Sequence, residues 1–547
     1  MLGAMATVAM MGRCTMIVLC LLWQSLPGRA AEMSTTSRSS LPRISLKLRD
    51  DGSGERVFVD SDGRERIFHG TNVVVKGPPW LPRRDVFDPL TSLVHEDFKY
   101  LKMAGINLIR LGVMWPGAEP ERGQYNESYF KSVRSIIEDA AEHGVYVLLD
   151  MHQDLLSERF CGEGVPKWAA LRPSTQHLQF PVPYWLHPAA DGPDGLPTRQ
   201  ACHELFANHG WWVGQGAYAS SFAYEALYTN VQNLTEAWGA FWAKTASVVK
   251  GLTNVLGFEL INEPWAGNEF RHPFLMAQGH ADRERLQPAY ETLARYIRSV
   301  DNDTLIVFAG VTWDNTHPVG FEHAPGGADE AYRSVLSYHY YCPPQRRNSF
   351  SSYLEQRRQD AKRLGTGLLM SESGVEPLYN EVVPKLNQVG HSWIHWEWKD
   401  WCREDNISNS STSQNAAWGA CKTGFGEGPF KPSSIGSPVD LNLERMATLG
   451  RPYVSVVAGS LNGTSWDPAA GLFQFRFRSD PRVPGPTELF YGFRSFPEDD
   501  FDVIIEPAAF KVELRPSERR VFLHPMQSTE EMGEVLVELR RRQAIAE

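Results

Sequence analysis

The stretch Leu256-Gly-Phe-Glu-Leu-Ile-Asn-Glu-Pro-Trp265 decides how this chain is read. Its apolar run has the length of a buried strand and ends abruptly on Asn262 and Glu263, before Pro264 turns the chain. In a barrel of parallel strands the C-terminal strand ends form the mouth at which chemistry is done. An amide and a carboxylate placed there call for a second carboxylate at another strand end, with polar and aromatic side chains around the pair to hold a sugar.

Working outward, strands and helices alternate on both sides of this run. Upstream, Arg56-Val-Phe-Val-Asp60 and Arg66–Val75 flank the Asp62-Gly63 turn and read as a hairpin leading into a core strand. Then follow a helix over His95–Ala104, a strand over Asn107–Gly112, a helix over Glu127–His143, a strand over Val145–Asp150 and a helix over Ala223–Leu252. Downstream, helices over Leu286–Val300, Tyr353–Leu364 and Asn380–Val389 separate strands over Leu305–Phe308, Val335–Tyr338, Leu368–Ser371 and Ser392–Trp396. Counted from Ile67 this gives eight strands with helical crossovers, an α/β chain whose expected form is a (β/α)8 TIM barrel. An open doubly wound sheet is the structural rival, but no G-x-G-x-x-G follows the first strand to support a dinucleotide fold. Past Arg451 the period changes to two, in runs such as Leu472-Phe-Gln-Phe-Arg-Phe477, which predicts a small antiparallel β-sandwich.

The expected division is therefore a signal peptide over 1–31, a disordered linker over 32–43, a catalytic barrel over 44–450 and a β-sandwich over 451–547. The barrel carries an irregular aromatic insertion at 160–222, rich in Pro and Gly, which reads as a lid or substrate wall. The leader rests on Arg13, the apolar run Thr15–Trp23 and the small residues Ala30 and Ala31. It implies secretion, with the lysosome as the other destination. Of the seven cysteines it removes Cys14 and Cys20. Sequence proximity then favours Cys161 with Cys202 and Cys402 with Cys421, leaving Cys342 unpaired. Sequons at Asn126, Asn233, Asn302, Asn406, Asn409 and Asn462 fit the same route.

A formal charge of −11 without basic blocks excludes a nucleic-acid partner. Seventeen tryptophans are many for a soluble protein, and such rings stack on sugars or line lipid grooves as well as filling cores. The histidines lack metal-ligand spacing, so no metal and no cofactor is expected.

Read at their C-terminal ends, the strands present Asn72 and Lys76, then Arg110, then Asp150, His152 and Asp154. They continue with Asn262 and Glu263, Trp313, His339 and Tyr341, Glu372, and finally Trp396, Glu397 and Trp398. Taken singly each has a bland explanation, a cap or an ion pair. Together they converge on one face. Carboxylates three strands apart can meet across a barrel mouth, and about 5 Å between them supports double displacement. Arg110 beside the strand-seven acid, with a hydrogen bond from Tyr341, suits Glu372 as nucleophile. Glu263 is then the acid/base, and Asn262 is placed for the sugar 2-hydroxyl.

The ordered set Arg110, His152, Asn262-Glu263-Pro264, His339-x-Tyr341, Glu372 and Trp396 or Trp398 resembles glycoside hydrolase family 5. Within it, Asp150-Met-His-Gln-Asp154, Lys76-Gly-Pro-Pro79, Asn262-Glu-Pro-Trp265 and the added β-domain look most like the endoglycoceramidase-related group. The resemblance implies a retaining hydrolase that cuts the β-glycosidic bond between glycan and ceramide. It further implies Lys76 and Asp154 as glycan contacts and Trp396 or Trp398 as the sugar platform. The expected partner is a glycosphingolipid or other β-glycoside, met as a monomer at a membrane or micelle surface. A β-glucosidase or endo-glucanase of the same family is the rival reading. A non-catalytic glycan- or lipid-binding protein is the remote one.

Overall fold

In the computed structural model the described residues are 41–542, except 90, 185–188, 199, 203, 206–213, 313–316, 342–348, 375–377, 400–427, 431–439, 497–499 and 527–532. The leader, Trp313, Cys342, Cys402, Cys421, Asn406 and Asn409 therefore lie outside the described residues.

Eight parallel strands close into a barrel, in the order in which they occur in the chain. They are His69–Val73, Leu108–Gly112, Tyr146–Asp150, Val255–Glu259, Leu305–Ala309, Ser334–Tyr340, Gly367–Ser373 and Trp393–His395. The period of two explains what fills it. Leu108 and Arg110 share one face of the second strand, and Tyr146, Leu148 and Asp150 share one face of the third. The lower positions of these faces join a buried apolar cluster with Phe68, Leu256, Leu305, Val307, Val335, Leu369 and Ile394. Ile44, Leu46 and Phe58 belong to the same cluster, so the strands before the barrel plug its floor. The upper positions are polar. A larger apolar core lies between the strands and the surrounding helices, including Phe98, Ile109, Ile136, Phe241, Trp242 and Tyr290.

The helix expected over Ala223–Leu252 is two helices, Tyr218–Tyr228 and Leu234–Val249. Asn230, Gln232 and Asn233 between them hold positive φ angles of 58°, 53° and 60°. Asparagine tolerates this left-handed region better than most residues, and the chain uses it to break the helix.

The C-terminal strands form two antiparallel sheets. A four-stranded sheet holds Gly459–Asp467, Leu472–Ser479, Glu534–Arg541 and Phe501–Glu506. The second has seven strands, and three of them come from the N-terminal side of the barrel: Ser45–Leu48, Arg56–Val59 and Glu65–Arg66. Glu65–Arg66 pairs with Tyr453–Val457, so the hairpin that leads into the barrel is also an integral part of the C-terminal sheet. Phe473, Phe475 and Phe477 alternate inward with Gln474 and Arg476 and pack with Val535, Val537 and Leu539 in the core between the sheets.

Candidate active site

Arg110 is the centre of the barrel mouth and is fully buried. Its Nε donates to Glu259 Oε2 at 2.6 Å, one terminal nitrogen donates to Asn72 Oδ1 at 2.8 Å and to Glu372 Oε2 at 3.1 Å, and the other donates to Asn262 Oδ1 at 2.8 Å. That second nitrogen also lies 3.0 Å from Asp150. A planar guanidinium is suited to serving several acceptors in fixed directions. Three carboxylates around one cation cannot all be equally ionised in a dry site. Burial pushes the Asp150 carboxyl up in spite of Arg110 and His152. Burial acts the same way on Glu259, but Arg110 and His339 outweigh it and hold that carboxyl below its usual value.

Glu259 received no role in the sequence reading, although a charge inside an apolar strand must find a partner. Its other oxygen accepts from Ser371 Oγ at 2.8 Å, which ties the fourth strand to the seventh. The seventh strand carries a bulge between Met370 and Glu372. Strict alternation would turn Ser371 and Glu372 to opposite faces; the bulge brings both to the site.

Glu372 accepts a second hydrogen bond, from Tyr341 Oη at 2.5 Å. Glu263 instead faces His339, whose Nδ1 is 2.8 Å from Glu263 Oε1 and 3.9 Å from Glu372 Oε2. Burial works against a charged His339, but Glu372 and the hydrogen bond to Glu263 outweigh it, so the imidazole holds its proton above the ordinary range. Ligand atoms of Glu263, His339 and Glu372 all lie within 4.8 Å of one another. The two carboxylates thus face each other across the mouth at the spacing of a double-displacement pair, not at the wider spacing that leaves room for a water between them.

Glu263 has φ +39°, a conformation seldom adopted by a residue with a side chain. Gln153, also missed in the sequence reading, holds it there. Its amide donates to the carbonyls of Asn262 and Glu263 at 2.7 and 2.8 Å, and its own oxygen accepts from Leu156 N and lies 2.7 Å from Tyr224 Oη. Asn262 returns a hydrogen bond to the Gln153 carbonyl at 2.9 Å. The sequence signal was the run His152-Gln153-Asp154, which puts Gln153 between two expected site residues.

The remaining expected residues form a second cluster at the rim. Lys76 Nζ pairs with Asp154, lies 3.5 Å from Glu163 and sits 4.7 Å from the centre of the Trp396 ring. His152 stacks on Trp396 at 5.3 Å and contacts Asp150 at 2.8 Å. Burial opposes charge on Asp154, yet Lys76 and His152 hold its carboxyl well below the carboxylate range. Burial drives the Glu163 carboxyl well above that range, Lys76 notwithstanding. His152, Asp154 and Glu163 have the spacing of a metal site, but the Lys76 ammonium already supplies its cation.

Trp398 requires a correction. It is fully buried and packs edge-on against Phe430 at 5.3 Å, so it has no face for a sugar; of the two, Trp396 is the one at the mouth. The expected Cys161–Cys202 disulfide is formed, and it fixes the insertion beside Glu163. Much of the insertion's aromatic content turns inward: Phe160 and Phe180 are buried, and Trp168 packs on Trp115 at 5.4 Å. Trp185, Trp211 and Trp212 lie outside the described residues.

Residues 91–401 match the family Cellulase (glycosyl hydrolase family 5), and residues 451–538 match the glycoside hydrolase family 5 C-terminal domain. The chain belongs to glycosyl hydrolase family 5. An endoglycoceramidase of Hydra vulgaris is 37% identical over 86% of this chain and 84% of its own. An endoglycoceramidase of Cyanea nozakii is 40% identical over 81% of this chain and 85% of its own. Among solved structures, endo-glycoceramidase II from Rhodococcus sp., seen as a lactosyl-enzyme intermediate, has a TM-score of 0.64 at 20% identity and covers 88% of this chain and 99% of its own. At that identity the likeness establishes the shared fold.

Proposed function

We propose that this family 5 enzyme is a retaining hydrolase of glycosphingolipids that cuts the bond between glycan and ceramide. The observation that carries the mechanism is the pair Glu263 and Glu372, within 4.8 Å and with unlike partners. The relatives named endoglycoceramidase, alike over more than four-fifths of both chains, support the substrate class.

In the first step a Glu372 oxygen bonds to the anomeric carbon as the glycosidic C–O bond breaks, and Glu263 gives its proton to the departing ceramide oxygen. Arg110 and Tyr341 aim the attacking carboxylate through its two oxygens. Glu263 is left as a carboxylate facing the proton-holding His339. In the second step Glu263 takes a proton from water, whose oxygen displaces Glu372 from the sugar. Asn262 spends one amide hydrogen on Gln153 and has a second for the 2-hydroxyl. Lys76, Asp154, His152 and Trp396 form the wall for the remaining sugar. We place the enzyme on the secretory route, extracellular or lysosomal, as a glycosylated monomer that touches membranes peripherally. The exposed asparagines Asn126, Asn233, Asn302 and Asn462 support the glycan sites.

The test uses lactosylceramide in detergent, a soluble β-glucan and a 2-fluoro glycosyl fluoride. Intact lactose should be released from the lipid and little product from the glucan. The fluorosugar should label Glu372, and Glu372→Gln should show no labelling and at least about 10⁴-fold lower turnover. Glu263→Gln should still be labelled but stall. Label on any other residue, or glucan as the better substrate, overturns the reading.

A further inference from the structure

Of the 27 phenylalanines, Phe270 and Phe274 are the two that are exposed among the described residues, at 43% and 50%. Both stand on the loop that leaves Glu263, and Met276 beside them is also exposed. Scattered apolar residues on a surface need no explanation, but a concentration of this kind does. The loop is not loosely tethered. Leu275 and Asn268 are buried within it, the backbone N–H of Asn268 donates to Glu225, and Glu225 is in turn held by Arg285 at 2.9 Å. The inward residues fix the loop and the phenylalanines are held out.

The patch continues toward the mouth. Phe270 packs on Tyr218 at 5.3 Å, and a side chain at Gly216 would lie 2.9 Å from the hydroxyl of exposed Tyr184 and 3.4 Å from the Trp265 ring. Trp265, two residues after Glu263, donates to Glu269 at 3.2 Å. Trp265 and Tyr184 thus converge on Gly216, two residues before Tyr218, and Tyr218 carries the aromatic contact out to Phe270. Exposed Arg271 and half-buried His272 lie between the two phenylalanines. Apolar rings beside an arginine on a stiff support are the composition of an interfacial membrane contact.

We propose that the segment Phe270–Met276 docks this enzyme on a lipid bilayer, seating the rings at the headgroup boundary so that the mouth meets a substrate still embedded by its tails. This rests on the reading that the leaving group is ceramide. The surface joins the segment after the acid/base to the aromatic insertion, through Tyr218 against Phe270.

The experiment uses the full chain, phosphatidylcholine vesicles containing lactosylceramide, and a water-soluble aryl β-lactoside. The Phe270→Ser, Phe274→Ser double variant should lose roughly tenfold in vesicle co-sedimentation and in turnover of the embedded lipid, with the aryl lactoside rate unchanged. A Phe270→Trp, Phe274→Trp variant should keep both. Undiminished vesicle binding by the serine variant overturns the docking loop while leaving the substrate reading intact. Wild-type protein that reaches vesicles only with an added protein also overturns it and makes the loop a protein-docking surface. Failure of the wild type to cleave lactosylceramide in detergent overturns the substrate reading, and with it the case for a bilayer.

Discussion

The barrel mouth contains two clusters built alike, one cation among buried carboxyl groups, and they behave differently. At the floor, Arg110 is fully enclosed and reaches Asp150, Glu259 and Glu372. At the rim, Lys76 retains 13% side-chain exposure and meets Asp154 and Glu163 beside the Trp396 ring. Each cluster holds one acid ionised and pushes another toward its neutral form: Glu259 against Asp150 below, Asp154 against Glu163 above. What differs is the cation. A guanidinium fixes direction, which a nucleophile needs; an ammonium is a point charge on a flexible stem, able to exchange a carboxylate for a sugar hydroxyl.

The largest expected effect comes from giving the floor the rim's cation. Arg110→Lys keeps the charge and loses the fork, so Asp150, Glu259 and Glu372 must share one small ammonium. Turnover of an aryl β-lactoside should fall by about 10³-fold, close to 4 kcal/mol of transition-state stabilisation. A fall of less than about tenfold would mean that charge alone suffices and that the fork does not orient the nucleophile.

Breaking the rim should cost less and show elsewhere. Lys76→Met leaves Glu163 without its cation and Asp154 with His152 alone, but does not touch Glu372. We expect roughly 10- to 100-fold lower kcat/KM on lactosylceramide, carried mainly by KM, because under the proposed role Lys76 would hold the sugar in ground and transition states alike. An equal loss in kcat would place Lys76 among the groups that act on the reacting carbon.

How much of this was legible in the sequence varied with how local the signal was. Runs such as Val147-Leu-Leu-Asp150 announce both a strand and its polar end, so the barrel and the positions of Glu263 and Glu372 could be read directly. Glu259 could not be assigned because its partners, Arg110 and Ser371, come from two other strands. The facing of Glu372 depends on a bulge that no period in the sequence marks. Trp396 and Trp398 are two residues apart just past a strand end, where alternation no longer tells which ring faces the mouth. The pairing of Glu65–Arg66 with Val456–Val457 spans most of the chain and leaves no local trace.

The smallest effect separates the two rim acids by sign. Asp154 has a carboxyl depressed by Lys76 and His152, so its contribution to stability is present at neutral pH and is lost as pH falls through the folded value. Glu163 has a raised carboxyl. The folded protein binds its proton more tightly than the unfolded chain, so stability declines as pH rises above the ordinary Glu range and up through the folded value. Glu163→Gln removes that decline and keeps a polar side chain of the same shape. The variant should melt with the wild type at pH 4, within about 0.5 kcal/mol, and above it at pH 8. Asp154→Asn should do the reverse, melting below the wild type at pH 8 by more than at low pH. If the Glu163→Gln and wild-type melting curves stay parallel from pH 4 to 8, Glu163 is an ordinary ionised partner of Lys76. The rim would then hold two charged acids where the floor holds one of its acids back, and the likeness between the clusters would reduce to a cation set among acids.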